Sequence, residues 1–369
     1  MLKVGIIGTG VIFDLNIQGY VGNEDVKITC VCDLRIELAK EKILKFQLDT
    51  NVNIYSDYKE MLDVEELDLL EILLPHHLHS EAVIQAARKN IKVISVQKPM
   101  ALTLVEADEM IQACKKYGSI LSIYENFLFA PHILHAKKLL DEGYIGNILS
   151  MRIKTTMGGY GGWIVPESAK EWRKDPNKIG GGSKIGSPVL LDNGWHAFAL
   201  GYWFLGKKID TIYAKTGCYK GIDAPAYVIW KCKKLTSDTD IDRYGILEFT
   251  LMPDMIVPSN YYPTDEFIEI SGTKGIMWIN QCTSSGNQMS HSGLFPSIVL
   301  YRNGIVEKYD EKKKDWKYSF INATKHLINV AKFSNKPILT GEDARNVLEF
   351  NLTAIKSAEI NKEISFDNN

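Results

Sequence analysis

Three groups of residues have the types and spacing for chemistry. Asp192 and His196 stand four apart in LLDNGWHAFAL, residues 190–200, after a glycine run at 180–182 and Pro188. If the segment is helical from about residue 191, the two share one face, a turn apart. A carboxylate beside an imidazole can fix its ring or its charge while the imidazole moves a proton. A helix that merely starts with Asp and half-buries one His has the same spelling. Lys98 follows a buried-type strand and precedes Pro99, which holds its backbone extended. A cation there can bond a substrate hydroxyl and stabilise developing alkoxide charge, where the plain alternative is a solvated loop lysine. The third group is Gly8-Thr9-Gly10, set between the strand LKVGII and a helix-compatible segment that begins Val11-Ile12, with Asp33 just past a second strand at 27–32. The turn lets backbone approach a pyrophosphate and the helix start offers N–H groups. Asp33, about 20 residues on, can accept bonds from the adenosine ribose hydroxyls.

The elements that must position these residues follow a βα rhythm through the first third. A strand at 67–74 ends at Pro75, a helix covers 80–89, and a strand at 91–96 leads to Gln97. A helix at 103–117 opens with Thr103 and Glu106 in capping-box spacing, and a strand at 119–124 closes the series. Alternation of this kind predicts a Rossmann-type, doubly wound parallel sheet with its ligand at the C-terminal ends of the strands. Three loops then converge on the cofactor: Thr9–Ile12, Pro75–His79 and Gln97–Pro99. His76, His77 and His79 lack carboxylate partners and have poor spacing for a metal, so none is expected.

From Asn126 the alternation stops. A helix at 132–142 and a strand at 147–156 precede a Gly-, Pro- and Lys-rich stretch, 157–189, that carries Tyr160, Trp163, Trp172 and Arg173. A connection this long is a candidate site element, and its aromatic faces could stack on a sugar ring or anchor the loop. Strand-like runs at 210–217, 226–232, 244–251, 266–271, 275–280 and 297–302 predict an α+β domain with a large, mostly antiparallel open sheet. A helix at 340–358 places Ala344, Val347, Leu348, Leu352, Ile355 and Ala358 on one face. The expected domains are 1–125 for the dinucleotide and 126–369 for substrate and oligomer contacts.

Bulk properties narrow the partners. The 369 residues carry a formal net charge of −2, with 45% hydrophobic and 24% charged residues. No electrostatic footprint for nucleic acid or an anionic membrane is present. No apolar run approaches the roughly 20 residues of a membrane span, and MLKVGIIGTG reads as a strand, not a signal peptide. The six cysteines have no regular spacing. Reduced thiols and a cytoplasmic location are expected.

Taken in order, GIIGTG at 5–10, the Pro75–His79 loop, Gln97-Lys98-Pro99, YENF at 124–127 with Pro131, Trp172-Arg173, the glycines at 180–182 and DNGWH at 192–196 resemble the Gfo/Idh/MocA oxidoreductases, the glucose–fructose oxidoreductase and inositol dehydrogenase group. The resemblance implies an N-terminal dinucleotide domain joined to a domain whose open sheet often makes the oligomer contact. It implies that Lys98, Asp192 and His196 meet at the nicotinamide, with Gly8, Thr9, Gly10, Val11, Ile12, Asp33, Arg35, Pro75, His76, His79, Gln97 and Lys98 around the cofactor. Two residues depart from the pattern: Phe13 stands where Gly or Ala is usual, and Gln97 where Glu is usual. His76 also stands where Asn is common. The expected activity is an NAD(P)-dependent dehydrogenase of a sugar, polyol or related secondary alcohol. His196 would act as general acid/base, Lys98 would hold the reacting oxygen, and Tyr160, Trp163, Trp172, Arg173 and Asp192 would contact substrate. Asp33 repels a 2′-phosphate and favours NAD, while Arg35 leaves NADP open. A homodimer or homotetramer is expected through the C-terminal sheet. The rival readings are an NAD-requiring glycosidase that oxidises transiently and a non-catalytic NAD or sugar sensor.

Overall fold

The computed structural model describes residues 1–49, 51–163, 166, 172–180, 189–206, 208–219, 222–234, 241–282 and 295–366. It divides into two compact units. The first is Met1–Asn126 with Val165–Lys184 and Ser319–Leu348, and the second is Phe127–Ile164 with Ile185–Tyr318 and Glu349–Asn369. A single boundary at 125/126 thus lies beside the first break, and two later segments group with the first unit.

The first unit holds β1 (Leu2–Ile7), β2 (Val26–Cys32), β3 (Asn53–Tyr55), β4 (Leu69–Ile72), β5 (Val93–Gln97) and β6 (Ile120–Tyr124), in the order β3-β2-β1-β4-β5-β6 with every pair parallel. This is the doubly wound order in which the chain reverses direction across β1 and β4, and ligands bind beyond the strand ends at that point. Val4, Ile6, Val31, Leu70, Ile72, Ile94 and Val96 are buried, as a parallel sheet covered on both faces requires. The Thr103 capping box forms, with Glu106 Oε2 accepting from the Thr103 amide at 3.0 Å. The sequence pattern leaves unmarked β3, the helices Ile36–Lys45 and Tyr58–Val64, the later strands at 305–309 and 364–365 and, with most effect on this unit, the helix Lys317–Phe333. It belongs largely to this unit, and Tyr124 donates to its Phe320 carbonyl at 2.9 Å.

The second unit is built on β7 (Ile148–Tyr160), β8 (Ile209–Thr216), β9 (Ala226–Cys232), β10 (Arg243–Ile256), β11 (Thr264–Gly272), β12 (Gly275–Cys282), β13 (Ile298–Arg302), β14 (Ile305–Tyr309) and β15 (Ile364–Ser365). Their order is β14-β13-β12-β11-β7-β10-β9-β8-β15, antiparallel except for the central β7–β10 pair. The strand expected at 147–156 extends to Tyr160, because its ladder with β10 continues through Met157 and Gly158. One face packs on the unit's own helices. Alternate residues on the other, such as Tyr227, Ile229 and Tyr244, are exposed.

The helix Gly194–Leu205 lies close on this sheet through two glycines and one indole. Trp230 is buried, and a Cβ on Gly201 of the helix would meet it at 2.9 Å, one on Gly245 of β10 at 2.0 Å. The terminal helix, Gly341–Ile360, buries Ala344, Val347 and Leu348 as expected. Leu352 and Ala358 are only half-buried, however, and Asn351 and Ser357 take buried places. Both polar residues are bonded there, Asn351 Nδ2 to the Leu190 carbonyl at 2.7 Å and Ser357 Oγ to the Ala214 amide at 3.0 Å, which removes the usual cost of burying them. Replacing Gly245 with Ala should destabilise the protein toward the upper end of the about 1–3 kcal/mol typical of overpacking. Urea unfolding measures this, and a wild-type midpoint would show that the Trp230 contact is not limiting.

Candidate active site

In the first unit the turn after β1 is set by one glycine and left open by another. Gly8 has φ +97°, and a Cβ on it would lie 2.6 Å from the Leu73 carbonyl oxygen. Its amide donates to the Cys32 carbonyl at 2.7 Å. Gly10 is different, since a Cβ there would meet nothing within 4 Å. The fold does not demand glycine at position 10; a group seated above its backbone would. Asp33 closes the turn from the end of β2. Its Oδ2 accepts from both the amide and the hydroxyl of Thr9 at 2.9 Å, and its Oδ1 accepts from the Arg35 amide at 3.0 Å and Nε at 3.4 Å. The expected helix is short: Val11 and Ile12 belong to the turn, Phe13–Asn16 is helical, and a 3-10 turn covers Ile17–Gly19. Phe13 is fully buried and meets Phe46 edge-on at 6.1 Å. The bulky residue at the third fingerprint position is therefore accommodated within the core.

The other two loops are tied together by His79. The ring is fully buried, with Nδ1 2.9 Å from the Pro99 carbonyl and Nε2 2.8 Å from the Leu74 carbonyl. Protonation would let it donate to both, but burial opposes the charge more strongly and holds its pKa down to about 4. Lys98 is half-buried just beyond β5, next to the carbonyl that His79 reaches. His76 is buried, its Nδ1 3.5 Å from the Ile179 carbonyl and its ring edge-on to Trp172 at 4.7 Å. The Arg173 guanidinium lies 4.3 Å over the Trp172 ring. Trp172 and Arg173 thus join the Pro75–His79 loop within the first unit. Among the described residues, no set of three His, Cys, Asp or Glu is placed to hold a metal ion.

In the second unit Asp192 and His196 sit on two helices, not one. Val189–Asp192 is a separate short helix, Asn193 intervenes in the right-handed helical region, and Gly194–Leu205 follows. Sequence reasoning missed the residues that hold the short helix. Asp223 accepts from the Val189 amide at 2.5 Å at its start, and Asn351 donates to Leu190 within it. Burial pushes the Asp223 carboxyl up to about 6, against the lowering effect of those amides. Asp192 is buried and His196 half-buried. The His196 ring stacks on Phe127 with centroids 3.9 Å apart and planes 21° apart, which fixes the plane in which its nitrogens can turn. Phe127 leads to Trp316 at 6.3 Å, and Trp316 to Tyr261 at 5.2 Å, Tyr262 at 6.1 Å and Trp163 at 6.4 Å. The sequence pattern marks Trp163 and, within YENF, Phe127, but not Trp316, Tyr261 or Tyr262. Tyr160, at the end of β7, is exposed. Gly181, Gly182 and Pro188 of the glycine-rich approach lie outside the described residues, whereas Gly180 has φ +85°.

An open glycine turn, an acid at the end of β2 and a half-buried lysine beyond β5 lie at the C-terminal ends of the strands, where this topology binds its ligands. Residues 2–125 match the model of an oxidoreductase family with an NAD-binding Rossmann fold, and residues 133–278 match the GFO/IDH/MocA C-terminal domain. The chain belongs to the Gfo/Idh/MocA oxidoreductases. Within that family it is 22% identical over 371 residues to the myo-inositol 2-dehydrogenase of Thermotoga maritima, with 99% of each chain covered. It is 30% identical over 182 residues to the 2,7-anhydro-N-acetylneuraminate hydratase of Escherichia coli, covering 49% of this chain and 45% of that one. The matched stretch spans about half the length of the curated relatives that head the comparison, at 46% and 45%. Levoglucosan dehydrogenase, solved with NADH and levoglucosan, has the same fold, with a TM-score of 0.78, 19% identity and 100% of both chains covered.

Gly8 and Gly10 should separate in experiment. Gly8→Ala should lower stability by about 2 kcal/mol through its backbone conformation and the Leu73 contact. Gly10→Ala should change stability by less than about 0.5 kcal/mol yet weaken NADH binding about tenfold or more, read by fluorescence titration. Unchanged NADH affinity in Gly10→Ala would remove that glycine from the cofactor site.

Proposed function

We propose that this chain is an NAD-dependent dehydrogenase of a secondary alcohol on a sugar, polyol or related carbohydrate. What supports the reading is that a chain with the NAD-binding fold of its family also carries Lys98, Asp192 and His196, residue types suited to proton transfer, at the places where the family's motifs put them. NAD, when bound, supplies the hydride acceptor. His196 takes the hydroxyl proton, a task suited to an imidazole whose ordinary pKa is about 6.5. Lys98 hydrogen-bonds the same oxygen and stabilises its developing charge. Asp192 orients substrate or supports His196, while Tyr160, Trp163, Trp172 and Arg173 are the substrate contacts proposed on the two units. Asp33 disfavours a 2′-phosphate and so selects NAD, with Arg35 as the residue through which NADP would be tolerated. Names among the relatives, for inositol and levoglucosan dehydrogenases, fit this substrate class. Substituting Lys98 with Met or His196 with Asn should each lower kcat by about 10²–10⁴-fold and leave NADH affinity within about threefold of wild type. The assay is NADH formation across a panel of sugars and cyclitols. Wild-type turnover in either variant would sink the assignment.

A redox-neutral variant of the reaction is the second reading, favoured by the relative named as a hydratase. Water addition or a glycosidase step leaves no net NADH, so product formation without an absorbance change at the NADH band identifies it.

The outward face of the nine-stranded sheet is the proposed oligomer contact. In register across it lie Tyr213, Ile229 and Ile246 on β8, β9 and β10, then Arg152 on β7. Ile229 is 47% exposed, so an apolar strip with a flanking charge faces outward. Light scattering should report a dimer or tetramer for the wild type and a smaller species for Ile229→Glu. A monomeric wild type would overturn the contact.

A further inference from the structure

Glu71 is fully buried in the middle of the parallel sheet, on β4 between β1 and β5, and the reaction proposed above makes no use of it. Its register partner on β5 is Ser95, which pairs with Ser122 on β6, while Gln97 pairs with Tyr124 two residues further on. Side chains alternate along a strand, so Glu71, Ser95, Gln97, Ser122 and Tyr124 project from one face. The segment Phe13–Tyr20 and the helix Lys317–Phe333 pack over that face. Thr324 Oγ1 donates to the Asn16 carbonyl at 3.3 Å and lies 3.0 Å from the Tyr124 hydroxyl.

The Asn16 carboxamide stands between Glu71 and Gln97. Its Nδ2 donates to Glu71 Oε1, and its Oδ1 accepts from Gln97 Nε2 at 3.4 Å. A carboxamide has one donor end and one acceptor end. With the donor end engaged by a carboxylate, the acceptor end needs a donor opposite it. Gln97 provides one, whereas Glu would set its carboxylate oxygens against Asn16 Oδ1. We propose that Glu71 is a positioning residue for the Lys98 loop, acting through Asn16 to orient Gln97 and to require an amide at position 97. This chain carries Gln97 where the family pattern has Glu beside the lysine, and it holds a buried carboxyl on β4. The role given to Lys98 rests on the proposed dehydrogenase reading; the Glu71–Asn16–Gln97 relay is testable without it.

The relay predicts a swap. Gln97→Glu alone places two carboxylates on one carboxamide, and should weaken NADH binding about tenfold and lower the melting temperature. The double variant Glu71→Gln with Gln97→Glu reverses the relay. Asn16 turns over, its Nδ2 donates to Glu at 97, and Gln at 71 donates to Asn16 Oδ1. NADH affinity should return to within about threefold of wild type, and the melting temperature should recover. A double variant as impaired as Gln97→Glu, or one that does not fold, overturns the relay. Both readouts are binding and stability, so they remain informative if the chain oxidises no carbohydrate at all.

A pH series gives an independent arm. Burial raises the Glu71 carboxyl to about 7 from the ordinary 4.5. The titratable groups facing it are Tyr20 and Tyr124, both held protonated well above the usual tyrosine range, and Asn16, Gln97, Ser95 and Thr324 are uncharged. The folded state therefore keeps a proton that the unfolded state releases between about pH 4.5 and 7, and stability from this group is full below that window and lost as pH rises through it. The melting temperature of wild type minus that of Glu71→Gln should fall from pH 5 to pH 8. A difference that stays flat would falsify the buried carboxyl as the group that sets the relay.

Discussion

A backbone contact at Gly8 organises the cofactor-facing end of the molecule. Without a side chain, Gly8 can press against the Leu73 carbonyl and donate to Cys32, while Leu73 donates in turn to Ile7 at 2.7 Å. The ends of β1, β2 and β4 are thereby drawn to one point. From there a continuous chain of contacts runs outward. Leu74 offers its carbonyl to His79, His79 reaches Pro99, and Pro99 adjoins Lys98. The glycine turn and the lysine are thus parts of one bonded frame within the first unit, and a fault at any link would be felt along it. Keeping His79 uncharged, at the cost of one poorly matched carbonyl, is consistent with a frame that must hold its shape through the neutral pH range.

In the second unit the same problem, presenting one imidazole at a fixed angle, is solved with apolar surfaces. The helix carrying His196 lies close to the sheet because Gly201 and Gly245 make room for Trp230, which also meets Phe350 of the terminal helix at 5.2 Å. Phe127 then supplies the flat surface on which the imidazole rests. Asp192 depends on polar supports instead, Asp223 and Asn351, which engage the backbone of its short helix. Packing sets the helix that bears the histidine, and hydrogen bonding sets the one that bears the aspartate.

The alternation of apolar strands with helices is enough to read most of the parallel sheet, because burial on both faces leaves mostly apolar runs such as VGII and VISV. Glycine turn, Asp33 and Lys98 were legible for the same reason, since each abuts such a run. The helix Lys317–Phe333 carries a stripe of Phe320, Ala323, Thr324, Leu327, Ile328 and Ala331 and ends at a Ser334-Asn335 turn before Pro337, so its signal is present in the sequence although the expected elements omit it. Asp223, Asn351 and Glu71 could not be found from sequence. Each is a polar residue whose meaning comes from a partner far along the chain, 34, 161 and 55 residues away respectively. Helical spacing puts Asn351 on the apolar face beside Val347 and Ile355, where its side chain needs the Leu190 carbonyl, and puts Ser357 off that face, where its long-range bonds account for its burial. The single helix expected around Asp192 is divided at Asn193, although that residue keeps helical angles and its amide still donates to the Val189 carbonyl at 3.1 Å.

The last residues of the second unit have a protective meaning as well as an architectural one. β8 is the outer long strand of an open sheet, and an uncovered strand margin is a template on which foreign chains can add. β15 pairs with Thr211 and Ile212, Ser357 takes the Ala214 amide, and Asn361 accepts from the Tyr213 hydroxyl at 3.0 Å. These contacts act as a selvedge that finishes the β8 margin and removes it as a template for foreign strands.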